Sequence, residues 1–336
     1  MNRKAVILFN LGGPDELKAV QPFLFNLFND RAILPVFQPF RSLLAFLIAK
    51  RRTKEAQEIY AQIGGRSPLL PNTQQQAKVL EASLGEGWRV FIAMRYWHPL
   101  IDEAVKAVKA YDPSEIILVP LYPQFSTTTT ASSLKAWTEE TKKEGLEIAT
   151  KTICCYPQNE GFIAANCDLI HEVVKGEKRP YRVLFSAHGL PQKVIDQGDP
   201  YQHHVELSAQ TIAQRLEIKD FVVCYQSKVG PLKWLTPSLE TEIKRAAQDR
   251  VGVIVVPISF VSEHSETLVE LDLQYQAVAQ RENVPFYVRI PTVSTHPAFI
   301  NSLAQMIKSS QAGLASGNVD FQCGPQFTTC MCRRSS

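Results

Sequence analysis

Eight short, near-continuous apolar runs, separated by segments of helical period, constrain this chain more than any other feature. The runs are Val6 to Asn10, Val90 to Tyr96, Ile116 to Tyr122, Ile148 to Cys154, Val183 to Ala187, Phe221 to Gln226, Gly252 to Ser259 and Phe286 to Ile290. Strands that are apolar on both faces must be covered on both faces, which is the pattern of parallel sheets flanked by helices. Between them, Pro99 to Tyr111, Ser133 to Glu144, Phe162 to Val174 and Leu207 to Leu216 space their apolar residues as helices do. Four runs fall in each half, and 336 residues suffice for about two domains with cores of their own. The polar break Gly176-Glu177-Lys178-Arg179-Pro180 lies near the middle. We therefore expect an N-terminal α/β domain over residues 1–170, a C-terminal one over 171–312 and an extension over 313–336.

Parallel α/β sheets place chemistry at the carboxyl ends of their strands. The run Val183-Leu184-Phe185 leads into Ser186-Ala187-His188-Gly189-Leu190-Pro191, and the run from Val251 to Phe260 leads into Ser262-Glu263-His264-Ser265-Glu266. Two strand ends thus deliver imidazoles and carboxylates. A helix opening at Ser265 and continuing through Leu271, Tyr275 and Val278 puts Glu266 and Glu270 on one face. Two carboxylates that close in a dry cleft need a cation or a proton between them, so the pair suits metal capture or proton handling. Histidine with carboxylate fits a divalent first-row metal such as iron and lacks the closed thiolate shell of structural zinc. The plainer alternatives are a hydrogen-bonded histidine and a solvated helix face.

Several classes are excluded by composition. Basic and acidic residues number 36 and 33, so there is no electrostatic case for nucleic acid. The loops Leu11-Gly12-Gly13-Pro14 and Ile63-Gly64-Gly65-Arg66-Ser67-Pro68 match neither a dinucleotide fingerprint nor a P-loop. The opening Met-Asn-Arg-Lys leads directly into strand-like sequence and leaves no room for a signal peptide, so a cytoplasmic location is expected. No apolar run reaches the roughly 18 to 20 residues needed to span a bilayer. Residues 34–52, however, carry Leu34, Val36, Phe37, Phe40, Leu43, Leu44, Phe46, Leu47 and Ile48, closed by Lys50-Arg51-Arg52. Such a stretch either lies in a membrane interface or packs on the domain core.

Asn10 to Pro14, Tyr60 to Pro68, Met94-Arg95-Tyr96-Trp97-His98-Pro99, Tyr122 to Ser126, Ser186 to Pro191, Gly198-Asp199-Pro200-Tyr201, Gln226 to Trp234 and Ser262 to Asp272 together resemble the ferrochelatase family. The matches fall in the family's order. The resemblance implies a lyase that inserts ferrous iron, its metal substrate, into protoporphyrin IX to give protoheme, the last step of heme biosynthesis. It further implies two Rossmann-like domains in the chelatase fold, with the macrocycle in the cleft between them. Iron entry displaces two ring N–H protons, so the enzyme must bend the ring and supply proton acceptors. By resemblance His188 meets the ring as proton acceptor or as iron ligand with Glu266, while His264, Glu266 and Glu270 form the facing arm. Trp234 and Phe260 would wall the ring. Leu11, Arg95 and Tyr96 would border it, and Arg51, Arg52 and Tyr60 would meet the propionates. The apolar stretch then becomes the family's active-site lip, with peripheral membrane contact. A homodimer is plausible by the same resemblance.

Cys323, Cys330 and Cys332 crowd the end of the chain, while Cys154, Cys155, Cys167 and Cys224 lie in its body. Three thiols offer soft ligands, and a two-iron cluster needs four. Some ferrochelatases carry a [2Fe-2S] cluster on such an extension. Here the fourth ligand would be Cys154, Cys155 or Cys167, because Ser126-Thr127-Thr128 lacks the cysteine that some members place there. Reduced thiols on a frayed tail are the alternative. Rival activities are coproporphyrin ferrochelatase, cobalt chelatase or a non-catalytic tetrapyrrole carrier, the last of which would not need Glu266 and Glu270.

Overall fold

The computed structural model describes residues 3–228, 230, 232–310, 314–315 and 323–332. Two positions of the Gln226 to Trp234 motif and most of the extension over 313–336 thus lie outside the described residues. Contacts divide the chain into two compact units, one of Met1–Leu121, Ser126–Cys154 and Ile307–Leu314, the other of Tyr122–Phe125, Cys155–Met306 and Ala315–Ser336.

The first unit is built on strands β1 (Lys4–Asn10), β2 (Trp88–Met94), β3 (Glu115–Pro120) and β4 (Thr150–Ile153), with helices α1 (Val20–Phe28), α2 (Phe40–Ala61), α3 (Leu69–Leu84), α4 (Ile101–Tyr111) and α5 (Thr130–Glu144). The sheet order is β2-β1-β3-β4, with a two-residue strand, Leu314–Ala315, at the β4 edge. The four principal strands run parallel. Residues Ala5 to Phe9 of β1 are fully buried, as the continuous apolar run requires for a central strand covered on both faces.

The second unit repeats the plan with α6 (Glu160–Val174), β5 (Tyr181–His188), α7 (Gln192–Asp196), α8 (Tyr201–Arg215), β6 (Phe221–Gln226), α9 (Leu239–Gln248), β7 (Gly252–Pro257), a π-helical stretch (Glu266–Tyr275) running into α10 (Gln276–Arg281), β8 (Tyr287–Arg289) and α11 (Pro297–Ser309). Its parallel strands lie in the order β6-β5-β7-β8. The polar break at 176–180 is a turn inside this unit. Helix α6, which precedes the break, packs here because Phe162 meets Phe299 of α11 at 6.2 Å between ring centroids.

In both sheets the first strand sends its successor to one side and its next-but-one to the other. The order therefore reverses between β1 and β3, and again between β5 and β7, at the switch points where open α/β sheets hold ligands. His188 closes β5, and the segment carrying His264 and Glu266 follows β7.

Candidate active site

Strand β5 delivers His188 with its backbone held on both sides: its N–H donates to Ser259 Oγ at 3.2 Å and its carbonyl accepts from Tyr201 Oη at 3.0 Å. The ring follows from that placement. Nδ1 lies 2.7 Å from Glu266 Oε2, so the proton sits on Nδ1 as donor to the carboxylate and Nε2 is left as the acceptor nitrogen. The imidazole side chain remains 39% exposed, so the group is reachable. Burial pulls its pKa down, but the charge and hydrogen bond of Glu266, with a smaller contribution from Glu270, win and raise it above the ordinary histidine value.

Glu266 and Glu270 do share a face, although the helix that carries them is π-wound from 266 to 275. Ten residues of apolar spacing do not separate α from π winding. Tyr287 Oη donates to Leu271 O at 2.8 Å, so part of this helix's hydrogen bonding is met from outside it. Such windings recur at functional sites. Ser227, in the left-handed region at φ 64°, brings its hydroxyl 2.6 Å from Glu270 Oε2 and 3.2 Å from Glu266 Oε2. One hydroxyl proton serves only one of them at a time. A non-glycine residue held at positive φ is a strained element of the kind found at working sites.

The two carboxylates divide in their acidity. Burial raises both, but the neighbouring His188 reverses this for Glu266 and holds it below the ordinary range. Glu270 has burial and the charge of Glu266 acting together and is pushed up to about 7. Paired groups pushed apart in this way mark acid and base roles. Gln226, in register beside His188, donates to Glu270 Oε2 at 3.4 Å while its own Oε1 accepts from Ser186 Oγ at 2.8 Å. His264 is buried with its ring 4.4 Å from that of Phe260, and burial lowers its pKa despite Glu266 and Glu263. Trp234 lies against Gly189, where an added Cβ would come within 2.9 Å of Gln226 O and 3.3 Å of the indole. The close approach beside His188 thus requires glycine.

The second unit therefore gathers His188, His264, Glu266, Glu270, Phe260 and Trp234. Ser227, Gln226 and Tyr201 complete the arrangement and were not marked as site residues by the sequence reading. The end of the apolar run at Gln226-Ser227 was the available signal.

In the first unit, Leu11, Tyr60 and Tyr96 meet in one cluster with Val20, Phe23, Leu24 and Ala49. Arg95 and Tyr96 are both engaged by Asp30: Arg95 Nη2 and Tyr96 Oη each lie 2.8 Å from Asp30 Oδ2, and Ser132 Oγ donates to the same oxygen. Burial opposes ionisation of Asp30, yet Arg95 and these donors hold its pKa below the usual range. Arg52 lies over the Phe28 ring and Arg51 is exposed. Helix α2 turns Ala45 and Ala49 inward, while Phe40, Leu43, Leu44, Phe46 and Leu47 face outward, joined by Phe37 at 82% exposed. Among the described residues, no helix is long and apolar enough to cross a membrane.

A second cluster forms in the second unit around the terminal cysteines. Cys330 Sγ lies 3.0 Å from Cys323 Sγ, and Cys155 Sγ, His204 and Cys323 place their ligand atoms within 4.8 Å of one another. Cys332 joins through its carbonyl, which accepts from the Cys323 N–H at 3.2 Å. Cys154 ends the first unit, Cys224 is buried in the β-sheet core, and Cys167 on α6 is raised to about 11 by burial. Of the proposed fourth ligands, Cys155 is the one that stands beside Cys323 in this unit.

Residues 3–311 match the family model described as Ferrochelatase. The chain is 52% identical over 312 residues to a ferrochelatase of Wolbachia sp. subsp. Drosophila simulans, covering 90% of this chain and 98% of that one. It is 48% identical over 344 residues to a ferrochelatase of Caulobacter vibrioides, covering 99% and 98% respectively. Among solved structures, SirB from Bacillus subtilis with Fe3+ superposes with a TM-score of 0.56 at 12% identity, covering 91% of this chain and 94% of that one. CbiX, described as the terminal enzyme for siroheme biosynthesis in denitrifying bacteria, gives 0.51 at 13%, covering 92% and 99%. These two share the fold.

Proposed function

The chain belongs to the ferrochelatase family and inserts ferrous iron into protoporphyrin IX, and from that premise we propose that His188 is the acceptor of the pyrrole protons. The observation that carries this reading is the 2.7 Å contact between His188 Nδ1 and Glu266, which fixes the ring's tautomer and offers Nε2 as the base. Its raised pKa favours proton uptake over metal ligation, because a metal requires the neutral ring.

The proton taken at Nε2 leaves an imidazolium stabilised by Glu266. Ser227 bridges Glu266 to Glu270, whose pKa near 7 suits it to receive and release a proton close to neutrality. His264, with its lowered pKa, is a neutral imidazole beside Phe260 on the same arm. We assign Phe260 and Trp234 to the faces of the macrocycle. Leu11, Arg95 and Tyr96 are assigned to its border, and Arg51, Arg52 and Tyr60 to its propionates. The outward apolar residues of α2 and Phe37 are assigned to peripheral contact with a cytoplasmic membrane face, where a greasy porphyrin is delivered.

The sulfurs of Cys155, Cys323 and Cys330 lie close together and Cys332 is tied to Cys323 through its backbone, which supports a reading of these four cysteines as the holders of a [2Fe-2S] cluster. Bound there, the cluster would supply one-electron redox chemistry and cross-link the terminal segment. No step of iron insertion runs through it.

Glu266→Gln tests the proton arm. Turnover is expected to fall by about 10²–10⁴-fold while porphyrin binding is retained. Unchanged turnover would remove Glu266 from the mechanism.

A further inference from the structure

The terminal segment seats on the start of α8 at several points. Thr329 Oγ1 donates to Gly198 O at 3.0 Å, and the Phe327 ring stacks on His203 at 4.9 Å. Gly198 has φ +89°, and a Cβ there would come within 2.5 Å of Thr328 Oγ1, so the segment lies directly on the backbone. In the middle of this contact His204, fully buried, points Nε2 at Cys323 Sγ, 3.1 Å away.

His204 therefore stands beside the sulfurs of Cys155 and Cys323 either as a metal ligand or as something else, and its other nitrogen decides which. Nδ1 accepts the backbone N–H of Phe125 at 3.2 Å. A histidine that ligates through one nitrogen carries its proton on the other and donates it to a neighbour. Here the other nitrogen is an acceptor. A neutral ring accepting at Nδ1 must carry its proton on Nε2, which is the atom facing the sulfur.

We propose that His204 is not a ligand of the cysteine centre but an N–H···S donor to Cys323 that raises the centre's reduction potential. This rests on the reading of the centre as a [2Fe-2S] cluster held by four cysteines. Reduction adds negative charge that spreads onto the ligand sulfurs, and a fixed donor at one sulfur stabilises the reduced form over the oxidised one. Phe125 holds the ring in the orientation this requires.

Full-length protein purified without oxygen is the material for the test, with iron and sulfide content, visible and electron paramagnetic spectra, and midpoint potential as readouts. His204→Gln keeps an N–H donor and His204→Leu keeps apolar volume without one. All three proteins are expected to hold equal iron and sulfide with similar spectra. The potential of the leucine variant should shift to more negative values, and the glutamine variant should return toward wild type. An unshifted leucine variant overturns the inference. Loss of the cluster or a changed ligand spectrum in the leucine variant, with the protein folded, would make His204 a ligand and also overturns it. Should the variants misfold, pulsed electron resonance on the reduced wild type decides: an exchangeable proton coupling without a strongly coupled nitrogen supports the donor, and a strongly coupled nitrogen refutes it. A wild-type protein without iron or sulfide refutes the cluster reading itself, a result distinct from all of these.

Discussion

Two effects oppose each other at His188: burial favours the neutral ring and Glu266 favours the charged one. Because Glu266 prevails, the pKa is raised, and the neutral acceptor is lost as pH falls through that raised value. Activity should therefore decline on the acid side. In Glu266→Gln the pull of the carboxylate is gone, burial prevails, and the acid limb of the pH profile should move to lower pH while the maximum falls. A limb that stays in place or moves upward would contradict the assigned coupling. At this scale the sequence offers His188, His264, Glu266 and Glu270 as candidates, because strand ends and four-residue spacing are local patterns. Ser227 and Gln226 escaped because their meaning comes from register: Gln226 is set beside His188 by the β5–β6 ladder, a non-local pairing. His204 escaped for a related reason, since its partner Cys323 is 119 residues away.

Elements are held at their ends by the same kind of non-local contact. Asp30, just past α1, joins Arg95 and Tyr96 after β2 to Ser132 of α5. The carboxylate is buried, with only 7% of its side chain exposed, so replacing it leaves the Arg95 guanidinium without its counter-ion. Breaking a buried pair on one side costs about 3–5 kcal/mol, toward the low end here because Arg95 keeps some solvent. Asp30→Asn should destabilise the protein by roughly that amount, measured by urea unfolding at neutral pH. The pH sign follows from the lowered pKa: this stabilisation is present above the ordinary carboxylate range and fades as pH drops through the folded value. A midpoint unchanged by the substitution would show that the network is not structural. The central strands β1, β3, β5 and β7 were legible as elements because central parallel strands are apolar on both faces. The π winding over 266–275 was not, since it depends on packing such as the Tyr287 contact to Leu271 rather than on residue spacing.

At the scale of the whole molecule, two features take no part in the proposed proton arm: the outward apolar face of α2 and the cysteine segment seated on α8. Leucine and phenylalanine facing water on a helix that buries only Ala45, Ala49 and Tyr60 leave apolar surface unburied, and each such side chain contributes about 1.5–3 kcal/mol when covered. Phe40→Ser with Leu43→Ser should therefore weaken binding to anionic lipid vesicles at least about tenfold, read by co-sedimentation, while turnover on detergent-dispersed porphyrin persists. Equal sedimentation of variant and parent would assign that face to another use. The most direct test of the central claim is anaerobic incubation of the purified protein with protoporphyrin IX and ferrous iron, with His188→Ala in parallel and porphyrin absorbance followed as it converts to that of heme. The account predicts conversion by the wild type, and porphyrin binding without conversion by the variant. Conversion by His188→Ala at the wild-type rate would contradict it.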